Sequence, residues 1–171
     1  MAFSIVKVYK ESMPNVRFVG KKYTDSDRVD GMFGAKWGEW FANSWFGALE
    51  SEIAMLPKEN EGAAYLGLMR ERNGVFEYWI GMFAAEGSPV PLGFAYLDVP
   101  AGDIATAWVY GNEELGEIYG AGPHNACVDK FREKGWQLDD TYSFERYQCP
   151  RFTTADKDGN VILDYCIYAK R

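Results

Sequence analysis

Histidine is nearly absent, cysteine is scarce, positive charge is in deficit and no long hydrophobic run occurs. Each lack excludes something. The single histidine, His124, has no cysteine at zinc-ligand spacing. No Ser-His-Asp or Cys-His arrangement can be assembled around it, so it reads as a surface or helix-end residue. The cysteines, Cys127, Cys149 and Cys166, are odd in number and show no paired spacing. That argues against a disulfide framework and for a reducing cytoplasm. With 18 Lys and Arg against 25 Asp and Glu, the net charge is −7, the wrong sign for gripping a phosphate backbone. No apolar run approaches the roughly 18 residues a membrane span needs. The first residues, Met1 to Lys7, lack the basic start and apolar core of a signal peptide. No metal or cofactor is expected either. Asp156-Lys-Asp-Gly-Asn160 begins like a calcium loop, but its glycine comes too early and the twelfth position is Ile167. Gly120-Ala-Gly-Pro lacks the third glycine of a dinucleotide fingerprint.

Aromatic side chains are what the chain has in excess: 11 Phe, 11 Tyr and 6 Trp, 16% of 171 residues. That length and a hydrophobic fraction of 47% fit one globular domain spanning 1–171 or two small, tightly joined halves. Tyr and Trp join a large apolar body to a polar tip, which suits binding sites as well as cores.

Alternation around Phe3 to Tyr9 and Val16 to Gly20, divided by Met13-Pro14, predicts strands. From Gly31 to Met55 the period changes. Phe33, Trp37, Trp40, Phe41, Trp45 and Leu49 recur at three and four, predicting one amphipathic helix that Pro57 ends. Ala64 to Met69 and Val75 to Phe83 read as a hairpin about Asn73-Gly74. Gly87 to Gly93, with two prolines, reads as a connection between halves. Strands follow at Phe94 to Val99 and Ile104 to Tyr110. A helix is then predicted from Asn112 to Tyr119, interrupted at Pro123 and resumed from Asn125 to Lys134. Thr141 to Tyr147 and Val161 to Tyr168 are the last strands, joined through the Asp156–Asn160 turn. The element order therefore repeats: strand material, a helix, then two strands, in halves of about 1–86 and 93–171.

In the strand Thr141-Tyr-Ser-Phe-Glu-Arg-Tyr147, side chains alternate between faces. Phe144 and Arg146 share one face; Ser143, Glu145 and Tyr147 share the other. A carboxylate flanked on its own face by a hydroxyl and a phenol makes Glu145 the candidate electrostatic centre of a ligand pocket. Tyr147, Tyr65, Trp79, Trp108 and Tyr110 are the candidate aromatic surfaces, with Trp37 or Trp40 as caps. A cation about 4 Å from a carboxylate gains roughly 4 kcal/mol at an effective dielectric near 20. Each ring face adds about 0.5–2 kcal/mol. Together these allow micromolar affinity for a lipophilic cation after association costs.

Four motifs occur in order: Tyr65-Leu-Gly67, Phe76-Glu-Tyr-Trp-Ile-Gly81, Val99-Pro-Ala-Gly102 and Phe144-Glu-Arg-Tyr147. In these the chain resembles the GyrI-like small-molecule-binding domains, the effector-binding module also found at the C-terminus of some AraC-type and MerR-type multidrug regulators. The resemblance implies an α+β fold: a duplicated strand-helix-strand-strand unit, a roughly eight-stranded antiparallel sheet, two main helices and a central ligand cleft. It also implies an aromatic pocket with a functional glutamate, by motif position Glu145. Strand signals begin at Phe3 with no helix-turn-helix region before them, so direct DNA binding by this chain is not expected.

Three functions are compatible with these readings. The first is stand-alone binding of amphipathic, cationic, aromatic small molecules, either as a receptor with a separate regulator as its partner or as a sequestering protein. The second is hydrolysis of strained rings in DNA-alkylating natural products, with Glu145 activating water, Tyr147 polarising the leaving group and Glu77 as the nominated second carboxylate. The third is acidic inhibition of a protein such as a topoisomerase. Binding without catalysis is the favoured expectation.

Overall fold

The computed structural model describes residues 3–170. Its strands are β1 (Ser4–Met13), β2 (Val16–Tyr23), β3 (Tyr65–Arg72), β4 (Val75–Ala85), β5 (Ala95–Val99), β6 (Gly102–Asn112), β7 (Leu138–Tyr147) and β8 (Asn160–Ala169). Three helices accompany them: α1 (Gly34–Ala42), α2 (Trp45–Glu52) and α3 (Ala121–Glu133). The class is α+β, with eight strands in one antiparallel sheet. No helix among the described residues is long and apolar enough to cross a membrane.

The chain divides into two compact units. One joins the segment up to Met13 with everything from Gly102; the other is Pro14–Ala101. In the first unit the strands run β1-β6-β8-β7, and in the second β5-β2-β4-β3. The order strand-strand-helix-strand-strand thus occurs twice along the chain, from β1 to β4 and from β5 to β8. The leading strand of each repeat pairs in the other repeat's unit: β1 with β6, and β5 with β2.

Local chemistry accounts for most boundaries. Pro14 cannot extend a ladder and separates β1 from β2. Asn73 and Gly74 both have positive φ, 53° and 76°. These are the signs a two-residue type I′ turn requires, and Arg72 pairs directly with Val75 across it. The predicted helix Gly31–Met55 is instead split into α1 and α2. Ser44 adopts a left-handed conformation (φ 56°, ψ 33°) and ends the ladder of α1. The predicted helix Asn112–Tyr119 is not formed. β6 runs through Asn112, and Glu117 Oε2 accepts the Asn112 N–H at 2.7 Å, closing a turn. Pro123 does not interrupt a helix either. It lies in the first turn of α3, where its missing N–H has no helical acceptor to lose.

In the second unit α1 and α2 cover one face of the strands. Trp40 and Leu49 are fully buried there against Val19, Ile80, Met82 and Ala84. β2 and β4 lie unusually close where Gly20 faces Gly81, since a Cβ on Gly20 would meet the Ile80 carbonyl oxygen at 2.0 Å.

Candidate functional site

β7 holds the candidate carboxylate in the first unit. Phe144 and Arg146 are buried on one face, 0% and 2% exposed, while Glu145 on the other is half-buried. The Tyr147 phenol donates to Glu145 Oε2 at 2.5 Å, and its ring meets Phe152 edge-on, centroids 4.7 Å apart. Glu145 pairs across the ladder with Tyr165 of β8, whose hydroxyl is hydrogen-bonded to His124 Nδ1 in the first turn of α3. Tyr119 completes the phenol set, its hydroxyl donating to Glu113 at 3.3 Å. Burial raises the Tyr119 and Tyr165 pKa values, and the Glu145 charge adds to the rise in both.

Glu145 differs from the other acids drawn into the protein. Burial raises its pKa, and the only opposing contribution is the Tyr147 hydrogen bond. Among the described residues no basic side chain pairs with it. Glu11 is bound by Arg146 at 3.0 Å; Asp164, 0% exposed, by Arg146 at 2.8 Å and by Arg151. Glu77 is bound by Arg70 at 2.8 Å. Burial pushes the Glu11 and Glu77 pKa values upward, but in both the arginine together with neighbouring hydrogen-bond donors outweighs it and the net shift is downward. A carboxylate that burial keeps reluctant to ionise, ringed by phenols and lacking an internal cation, can accept a proton or an external cation.

Of the other sequence-predicted residues, Trp108 and Tyr110 are not brought to this carboxylate. Trp108 pairs with Asp164, as Arg146 does, and so projects from the opposite face of the strands. Its indole N–H donates to the Tyr9 hydroxyl at 3.3 Å. Lys7 Nζ and the Arg151 guanidinium each lie over the Trp108 ring, 4.5 and 4.7 Å from its centroid. Tyr110 is hydrogen-bonded to Asp156 and Asn160 at the strand end.

The remaining candidates lie in the second unit. Tyr65 stacks on Phe46 at 3.7 Å and donates to Glu50 at 2.8 Å. Trp37 donates to the Tyr78 hydroxyl at 2.9 Å and stacks on Phe41. Trp40 donates to the Tyr23 hydroxyl at 3.0 Å and is core. These three belong to the helix-side aromatic cluster. Trp79 projects from the other face of β4, 4% exposed, and donates to Glu77 Oε1 at 2.9 Å. Glu77, nominated as a second carboxylate, is therefore held by Arg70 and Trp79.

Sequence reasoning missed Tyr119 and Tyr165 beside Glu145, and His124 and Phe152, which contact Tyr165 and Tyr147 in turn. Tyr165 is a polar-tipped ring in an apolar strand, the same signal that drew attention to Glu145. Its register opposite Glu145 is a long-range fact. No group of acids, histidine and cysteines suited to a metal ion occurs among the described residues.

No family model and no curated protein matches this chain. Solved structures do. A protein from Staphylococcus aureus MU50 assigned to bacterial transcription regulation superposes with a TM-score of 0.65 at 13% identity, over 96% of this chain and 99% of that one. SAV2435, solved bound to tetraphenylphosphonium, gives 0.60 at 15% identity, over 96% and 94%. The EcmrR C-terminal domain gives 0.58 at 8% identity, over 96% and 98%. The likeness is one of fold. It spans nearly the whole of each chain.

Proposed function

We propose that this chain is an effector-binding domain of the GyrI-like kind that binds lipophilic, aromatic cations, with the Glu145 carboxylate as counter-charge. The observation that carries this reading is that Glu145 is desolvated without a basic partner, whereas Glu11, Glu77 and Asp164 each have an arginine. A cation entering beside Glu145 recovers Coulomb energy that the fold leaves unclaimed. The phenols of Tyr147, Tyr119 and Tyr165 offer ring faces and hydroxyls that suit a large, weakly hydrated cation. The fold shared with SAV2435, which binds tetraphenylphosphonium, and with the EcmrR C-terminal domain supports the same reading. The output of such a domain is a signal to a separate regulator.

Tetraphenylphosphonium is the direct probe, because its charge does not titrate. Titrated against tryptophan fluorescence, it binds the wild-type chain, and the lipophilic anion tetraphenylborate does not. Glu145→Gln keeps shape and loses charge, and weakens binding by about tenfold or more, the equivalent of about 1.4 kcal/mol. Affinity rises as pH is raised through the Glu145 pKa, which lies above the ordinary carboxylate value, because only the ionised form attracts the cation. Equal affinity in the Gln variant, or no pH dependence, overturns the role of Glu145.

A further inference from the structure

The face of the second unit that turns away from α1 and α2 carries a cluster of a different character. Lys22 of β2 pairs with Trp79 of β4, and Arg70 of β3 with Glu77 of β4. Arg72 pairs with Val75 beside the hairpin turn. Lys22, Arg70, Arg72, Asn73, Glu77 and Trp79 line a groove of about 470 Å3, and β5 supplies Leu97 and Ala95 as its apolar side. Three cations and one carboxylate leave this groove with a net positive charge in a chain whose total is −7.

The cations are not alike. Arg70 is held at one point: its Nε donates to Glu77 Oε1 at 2.8 Å, and Glu77 is fixed in turn by the Trp79 indole N–H at 2.9 Å. Both members of the pair are largely buried, their side chains 12% and 9% exposed. Bonding through Nε leaves the two terminal nitrogens of the guanidinium, the fork that matches two oxygens of one anion. Those nitrogens, Arg72 and Lys22 make no hydrogen bond or ion pair among the described residues. The Trp79–Glu77–Arg70 chain therefore orients a guanidinium that also lies 6.0 Å from the Trp79 ring centroid and whose remaining donors make no hydrogen bond among the described residues, and two further cations share its groove.

We infer that this groove binds a small-molecule phosphate monoester, its phosphate on Arg70, Arg72 and Lys22 and its organic body along Leu97 and Ala95. The doubly charged, three-oxygen group matches several cations lining one groove better than a single carboxylate does. The volume falls within the range of about 300–1,000 Å3 usual for small-molecule sites. The ligand charge is opposite to that proposed for Glu145, so the two sites fail or succeed independently.

Phenyl phosphate is the probe, and the indole N–H signal of Trp79 in a nitrogen-15-labelled sample is the reporter, since that proton is bound to Glu77 in the anchoring chain. The expected result is a saturable shift at millimolar phenyl phosphate, reproduced by inorganic phosphate and absent with phenol. Lys22→Ala and Arg72→Ala, both at exposed positions, each weaken binding about tenfold, as loss of a charged hydrogen bond does. Arg70→Lys keeps the charge, lacks the fork and weakens it comparably. Lys58→Ala, exposed and outside the groove, leaves it unchanged. No shift at Trp79, an equal shift with phenol, or undiminished binding in both alanine variants overturns the proposal.

Discussion

Glu145 and Arg146 are neighbours with opposite electrostatic fates. Arg146 is 2% exposed and meets Asp164 at 2.8 Å and Glu11 at 3.0 Å. Removing one member of such a buried set leaves an uncompensated charge and costs about 3–5 kcal/mol. Glu145 has no such partner, and its folded-state pKa is raised by burial. Protonation therefore favours the folded form. That contribution is complete below the unfolded pKa and is lost as pH rises through the folded one. Glu145→Gln is accordingly expected to stabilise the free protein at neutral pH. The melting temperature rises, by about 2–4 °C for each ~1 kcal/mol gained at this chain length. The advantage disappears in acid, where Glu145 is protonated. Melting curves of both proteins across pH check this, and a Gln variant that is less stable at neutral pH contradicts it. Stability gained and ligand affinity lost in one substitution is the behaviour of a residue kept for binding. The alternation of Ser143, Glu145 and Tyr147 was legible because strand period depends only on neighbours. Tyr119 and Tyr165 were not, because a turn and a strand register bring them in from elsewhere.

Among the elements, the α1–α2 break shows where local signals run out. The apolar spacing from Phe33 to Leu49 suits one continuous helix, yet Ser44 sits at φ 56°. Left-handed geometry costs a residue with a Cβ about 1–2 kcal/mol, and the exposed Ser44 side chain makes no capping bond in return. Ser44→Gly is therefore expected to stabilise the protein by about 0.5–1 kcal/mol, after glycine's larger unfolded-state entropy is subtracted. Thermal or urea unfolding measures it, and a destabilised glycine variant would mean that Ser44 contributes something beyond its backbone. The break turns the stripe of rings into a two-sided cluster, with Trp40 buried and Phe41 60% exposed. Signals carried by adjacent residues were readable in advance: Asn73-Gly74 for the hairpin, Pro14 for the end of β1. Pro123 was misleading because the same residue type starts a helix in its first turn and stops one later.

The whole chain is built on an exchange that no local pattern announces. Each repeat's leading strand completes the other repeat's unit, so β1 is separated from its partner β6 by all of Pro14–Ala101. β1 brings more than ladder bonds. Glu11 accepts hydrogen bonds from Arg146 at 3.0 and 3.1 Å and from Thr106 at 2.9 Å. Tyr9, its pKa pushed up to about 12 chiefly by burial, accepts from Trp108. A chain lacking residues 1–13 loses one carboxylate of the buried ion cluster and exposes the flank of β6 at the same time. Its first unit is expected to lose fixed structure. A synthetic peptide of residues 1–13 added in trans restores it, because β1 contributes as a separate strand and not through its covalent link. The Glu11→Gln peptide restores it less well, since it leaves Arg146 short of one counter-charge. Near-ultraviolet circular dichroism reads the outcome through Trp108, which stands beside Tyr9 in this unit. Full structure without the peptide would show that β1 is dispensable, and equal rescue by both peptides would show that Glu11 is not what holds Arg146 and Asp164 on the face of β7 and β8 opposite Glu145.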